Sequence, residues 1–160
     1  MKKKLTKENM GFMIVEVLVA VSIITASILA AMAVAQKAIY VSRQAVHATQ
    51  AAFLLGEGAE AVRILRDNSW NNISSLTPAT IYYPLFSGGT WTLSPTANTV
   101  GIFTRTVSVA LVNRDNSTQN ISVLGTNDPD TKFITVTVSW MEGENVIVKT
   151  LEFYIMNIFS

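Results

Sequence analysis

Gly11-Phe12-Met13-Ile14-Val15-Glu16-Val17-Leu18-Val19-Ala20 opens an apolar run that continues to Ala35 and carries one charge, that of Glu16. From Phe12 to Ala35 the run is 24 residues long, and a helix of ~20 apolar residues is enough to cross a bilayer. An acid on the hydrocarbon segment of a helix costs ~2.5–3.5 kcal/mol at the bilayer centre and less near an end, so its default reading is functional. Glu16 is therefore expected to have a partner.

Upstream lies a short basic leader, residues 1–11, with Lys2, Lys3, Lys4 and Lys7. Lysines before the run and few after it place the N-terminus in the cytoplasm by the positive-inside rule, and everything past Gln36 outside. The whole chain has twelve Lys and Arg against eleven Asp and Glu. Without the leader's four lysines and one glutamate, eight face ten and the net charge falls from +1 to −2. The mild basicity is thus a targeting feature, and direct nucleic-acid binding has no support. A basic leader also describes a cleaved secretory signal, for which Ala33-Val34-Ala35 before Gln36 offers a small-x-small site, but the run exceeds the 7–15 residues of an ordinary h-region and Glu16 interrupts it. An uncleaved anchor is the third alternative.

The order glycine, phenylalanine, three apolar residues, glutamate and Val17-Leu18-Val19-Ala20 resembles the prepilin signal of type IV pilins and of the pseudopilins of type II secretion. Met13 and Ile14 stand where many members carry Thr or Ser and Leu. The resemblance implies cleavage by prepilin peptidase between Gly11 and Phe12 and N-methylation of Phe12. It also implies an assembly role for Glu16, which meets the Phe12 amine of a neighbouring subunit. Opposite charges attract strongly in a low-dielectric core, where either alone is penalised. The Glu-Val-Leu-Val-Ala continuation is closer to minor pilins and minor pseudopilins than to abundant ones. The expected location is the inner (cytoplasmic) membrane as a single-pass protein, then a pilus or pseudopilus. Expected partners are prepilin peptidase, other pilin or pseudopilin subunits, the inner-membrane assembly platform, and membrane lipid before assembly.

Downstream, no proline occurs between Phe12 and Leu76 and alanine is frequent, so one helix is expected from Phe12 to about Arg66. Residues 12–35 form its transmembrane half and residues 36–67 an amphipathic half. Val34, Ala38, Val41, Ala45, Ala48, Ala52, Leu55, Ala59 and Val62 make a stripe spaced by threes and fours, read as the face that docks on the chain's own domain. Gly56 and Gly58 mark a bend or a close contact. In the apolar half, the rows Ser22-Ala26-Ala30 and Ser27-Ala31-Ala35 suit close helix packing. Residues 68–160 shift to Ser, Thr, Asn, Gly and β-branched runs and read as an extracytoplasmic β-rich domain. Strands are expected over Thr90–Leu93, Ile102–Val112, Phe133–Trp140 and Val146–Ile155, with 68–84 as a connecting loop and a hairpin at Glu142-Gly143-Glu144-Asn145. The fold class is α+β: a long N-terminal helix packed on a small antiparallel sheet, pilin-like.

The absence of cysteine excludes disulfides, thiolate metal sites and a cysteine nucleophile, and with them the disulfide-closed loop of many pilins. His47, the one histidine, reads as a residue of a solvated helix face. Asp128-Pro129-Asp130 reads as an acidic turn before a calcium site, since its spacing fits no EF-hand loop. Asn72, Asn116 and Asn120 head glycosylation sequons that a chain rich in Asn, Ser and Thr acquires by chance. Trp70, Trp91, Trp140, Tyr82, Tyr83 and Phe86 suit packing before an adhesive patch. No nucleophile elbow, P-loop or dinucleotide fingerprint is present, so no enzymatic activity, catalytic residue, metal or cofactor is expected. The reading is a structural filament subunit; the alternative is a membrane-anchored or secreted β-domain with a binding or enzymatic role.

Overall fold

The structure, a computed structural model, describes residues 8–159, with side chains from Phe12. Most of the basic leader, Met1 to Lys7, lies outside the described residues. The chain is α+β, and its first helix, α1, covers Glu8–Asn68. Two compact units divide it, one ending at Val46 and one beginning at His47.

In the first unit every described side chain from Phe12 to Val46 is exposed except that of Gln44, which is intermediate. Val34, Ala38, Val41 and Ala45 of the predicted stripe are therefore not docked within it.

The second unit carries the core. After α1 come a single turn, α2 (Asn71–Ser74), and six strands: β1 (Ile81–Ser87), β2 (Thr90–Ser94), β3 (Thr99–Val100), β4 (Phe103–Arg114), β5 (Thr126–Glu142) and β6 (Asn145–Met156). They form one antiparallel sheet in the order β2-β1-β4-β5-β6, with β3 pairing the start of β4. Alternation drives the burial: Phe103, Val107 and Val109 of β4 and Ile134, Val136, Val138 and Trp140 of β5 all point to one face and are buried. Val107, Val109, Ile134 and Val136 cluster with Ala59, Val62 and Leu65 of α1, Ile73 of α2 and Ile155 of β6, while Phe103, Val138 and Trp140 cluster with Ala51 of α1. Each fully buried Val or Ile contributes roughly 1.5–3 kcal/mol relative to exposure.

The packed face of α1 runs through Ala51, Leu55, Gly58, Ala59, Val62 and Leu65, so the predicted stripe holds at Leu55, Ala59 and Val62 but not at Ala48 and Ala52, which are exposed. The reason is Gly58. A Cβ there would lie 2.7 Å from Val136 Cγ1 and 3.3 Å from Arg105 Cδ, so the helix approaches the sheet along the glycine's side. Gly56 faces open space.

The four expected strands are present, each longer than expected. The segment read as a loop from 68 to 84 instead holds α2 and the start of β1. Gly88 and Gly89, both at positive φ (62° and 81°), form the two-residue loop of the β1–β2 hairpin, a geometry that glycines supply without strain. Asp128-Pro129-Asp130 lies inside β5, not in a turn. Register shifts at Leu111/Val112, where β4 passes from Lys132 to Asp128 as partner. Such an irregularity admits proline into a strand because no ladder hydrogen bond is demanded of it.

Candidate functional site

Gly11, Phe12 and Glu16 all stand on α1. Phe12 and Glu16 are four residues apart, which puts their side chains on one face about one turn from each other. Phe12 is 79% exposed and Glu16 is exposed. Beyond Glu16 the apolar segment is chemically closed. Ser22 Oγ donates to the Leu18 carbonyl (2.7 Å), Thr25 Oγ1 to that of Val21 (2.8 Å) and Ser27 Oγ to that of Ile23 (2.8 Å). Each hydroxyl thus spends its proton within the helix and asks nothing of an apolar surrounding. Glu16 has no hydrogen bond or ion pair with any described residue, so it alone among these polar side chains is left requiring one. The segment is long and apolar enough to cross a membrane, and none of its most apolar stretch is buried.

The charged groups of the second unit serve its own packing. His47 is not a freely solvated side chain: its Nδ1 is buried and lies 3.6 Å from Glu142 Oε2, and its ring meets Phe103 edge-on at 6.2 Å. The expected hairpin at Glu142–Asn145 is present, with Glu142 closing β5 opposite Asn145; its carboxylate is buried and accepts a hydrogen bond from Trp140 Nε1 (3.0 Å). Arg105 is 5% exposed, pairs with Glu57 at 2.6 Å and lies over the Trp91 ring at 5.4 Å. Its burial was legible, because Arg105 occupies the inward phase of Phe103-Thr104-Arg105-Thr106-Val107. Glu142 carries the same signal, since it continues the inward phase of Val136, Val138 and Trp140 by one more step.

Asp128 accepts from Arg114 Nε (2.5 Å) and from Thr131 Oγ1 (2.7 Å), and these bonds, Arg114's first, hold its carboxyl below the usual carboxylate range. Asp130 Oδ1 accepts from Asn157 Nδ2 at 2.9 Å. Both carboxylates of the suspected acidic turn are thus engaged by side-chain donors, and among the described residues no three His, Cys, Asp or Glu side chains converge as metal ligands. Trp140 is buried, Trp70 and Trp91 pack against the core, and Phe86 is exposed against Trp91 with ring centroids 5.2 Å apart. No protein-family model, curated protein or solved structure matches the chain.

Proposed function

We propose that the protein is a pilin-like structural subunit of a type IV pilus or a type II secretion-like filament. In this reading prepilin peptidase cuts after Gly11 and Phe12 is methylated. The subunit waits in the inner membrane as a single-pass protein with the β-rich unit outside, and the assembly platform then draws it into a filament. Bundling of apolar helices supplies cohesion, and Glu16 paired with the Phe12 amine of a neighbour sets register.

The observation that carries the reading is the combination at the start of α1: an exposed apolar segment whose other polar side chains bond internally, and one acid, unpartnered among the described residues, four residues after the Phe that follows Gly11. An anchor that only tethers a domain gains nothing from that acid.

N-terminal sequencing and mass measurement of the mature protein test the reading. Methylated Phe12 is expected; Gln36 would mean a secretory signal and Met1 a plain anchor. Gly11→Leu, which puts a bulky side chain at the scissile bond, should leave the full-length precursor in the membrane. Normal processing of that variant would count against the assignment.

A further inference from the structure

From Val17 to Gly56, forty residues, the chain carries no Asp or Glu, and the only Lys or Arg in that interval are Lys37 and Arg43. Both lie on α1 just beyond the apolar run that ends at Ala35. Here the helix divides into two sides. At about 100° per residue Gln36, Lys37, Tyr40, Arg43 and Gln44 fall on one, and Val34, Ala38, Val41 and Ala45 on the other. Neither side is covered within the first unit, where all of these side chains are exposed except that of Gln44, which is intermediate.

Three groups on the polar side are donors without an acceptor. Lys37 Nζ lies 5.2 Å from the centre of the Tyr40 ring, which keeps the two side chains together and leaves the ammonium its hydrogen-bonding protons. Tyr40 Oη accepts from Gln44 Nε2 at 2.8 Å, so its own proton is still to give. Arg43 is exposed and has no hydrogen bond or ion pair with a described residue. A partner that satisfies all three is rich in acceptor oxygens and negatively charged, as a phosphodiester is.

Helix length places that cluster against such a partner. Phe12 to Tyr40 is 28 residue steps of α1, roughly 42 Å at ~1.5 Å each. A bilayer is about 30 Å thick across its hydrocarbon and about 40–45 Å with its headgroups. With Phe12 at one face, Tyr40 stands among the headgroups of the other. Lys37, one turn nearer the hydrocarbon, reaches the same level through its four-carbon stem. Taking as given the membrane-spanning part of the proposed function, we infer that Lys37, Tyr40 and Arg43 bind the phosphate and ester oxygens of outer-leaflet phospholipids. The lipid-embedded span then ends at Tyr40 and not at Ala35. Val34, Ala38 and Val41, on the other side of the helix, meet the upper acyl chains, which accounts for an apolar side with nothing of its own chain upon it. A ring with a polar tip and cations on apolar stems are the side chains that hold a helix at that level. The contact fixes the depth at which the subunit waits.

The chain has no cysteine, so one introduced cysteine carries a nitroxide to a chosen depth without background. Full-length Leu18→Cys, Ala35→Cys, Val41→Cys and Val46→Cys are each labelled and placed one copy per nanodisc of mixed phosphatidylglycerol and phosphatidylcholine. Collision with oxygen, which favours lipid, is compared with collision with a water-soluble nickel chelate. The labels at 18 and 35 should favour oxygen, that at 41 should match headgroup-labelled lipid, and that at 46 should favour nickel. Adding Lys37→Glu and Arg43→Glu should raise nickel collision at position 41 at least threefold. A label at 41 as open to nickel as that at 46 overturns the lipid contact, and so does a charge-reversed chain that keeps its depth. Headgroup depth at 41 that appears only when many copies share a vesicle overturns it too, because the acceptors are then carboxylates of another copy. Position 18 separates this from the membrane reading. Oxygen preference there with a water-exposed 41 sinks the lipid contact alone, whereas nickel preference at 18 sinks the span and the contact together.

Discussion

At Glu16 the penalty of an acid in an apolar segment and the loss of a neighbour's partner pull in opposite directions, which makes substitution informative. Glu16→Val should insert in the membrane at least as well as the parent, because a costly group has gone. Cleavage after Gly11 should persist, since the residues beside the scissile bond are untouched. Recovery of the variant with sheared filaments should fall sharply, because the Phe12 amine of a neighbour is left unpaired; equal recovery of the two would sink the charge pairing. Asp128 gives a second residue-scale test. Its folded-state carboxyl is depressed by Arg114 and Thr131, so its contribution is present above the ordinary carboxylate pKa and is lost as pH falls through the lower, folded value. Asp128→Asn should cost about 1–2 kcal/mol at pH 7, the scale of a charge-assisted hydrogen bond. Denaturant melts should show parent and variant converging below about pH 4. A difference that persisted undiminished at pH 2 would mean that the carboxylate's charge is not what stabilises the site.

The two glycines of α1 look alike in sequence and differ in what they face. Replacing Gly56 by alanine fills open space and removes a poor helix former, so the second unit should gain roughly 0.5–1 kcal/mol. The same change at Gly58 drives a Cβ into Val136 Cγ1, a buried side chain of the central sheet that has no flexible end to swing away. Overpacking of that kind costs roughly 1–3 kcal/mol, more than the helix gains, so Gly58→Ala should destabilise. Thermal melts that shifted the same way for both variants would refute the close approach of α1 to the sheet at Gly58.

For the whole molecule, the division at Val46/His47 means that the packed residues, from Ala51 through Ile155, belong to the second unit. A chain beginning at Lys37 retains all of them and loses the apolar run. It should be soluble and monomeric at micromolar concentration, show a cooperative melt, and be indifferent to reductant because it has no cysteine. A disordered circular-dichroism spectrum would place the folded boundary elsewhere. Self-association of this fragment would mean that the β-rich unit by itself carries a surface able to hold copies together.

The sequence by itself determined the long helix, the apolar half that leaves no face for water, the odd carboxylate within it and the alternating strands around Val107, Val136 and Val138. These are signals of period and composition, which neighbouring residues set among themselves. Only the tertiary structure decided which face of α1 packs, because that depends on Val136 and Arg105, which lie far along the chain from Gly58. It also decided that Asp128 is an ion-pair partner within a strand, through Arg114 at 14 residues' separation, and that Glu142 is buried beside His47 and Trp140. A β1 that begins inside a stretch rich in turn residues was illegible for the same reason: Ile81 and Tyr82 become strand only by pairing with Ser108 and Val107. Long-range pairing writes nothing into local periodicity, and so it is read from the fold alone.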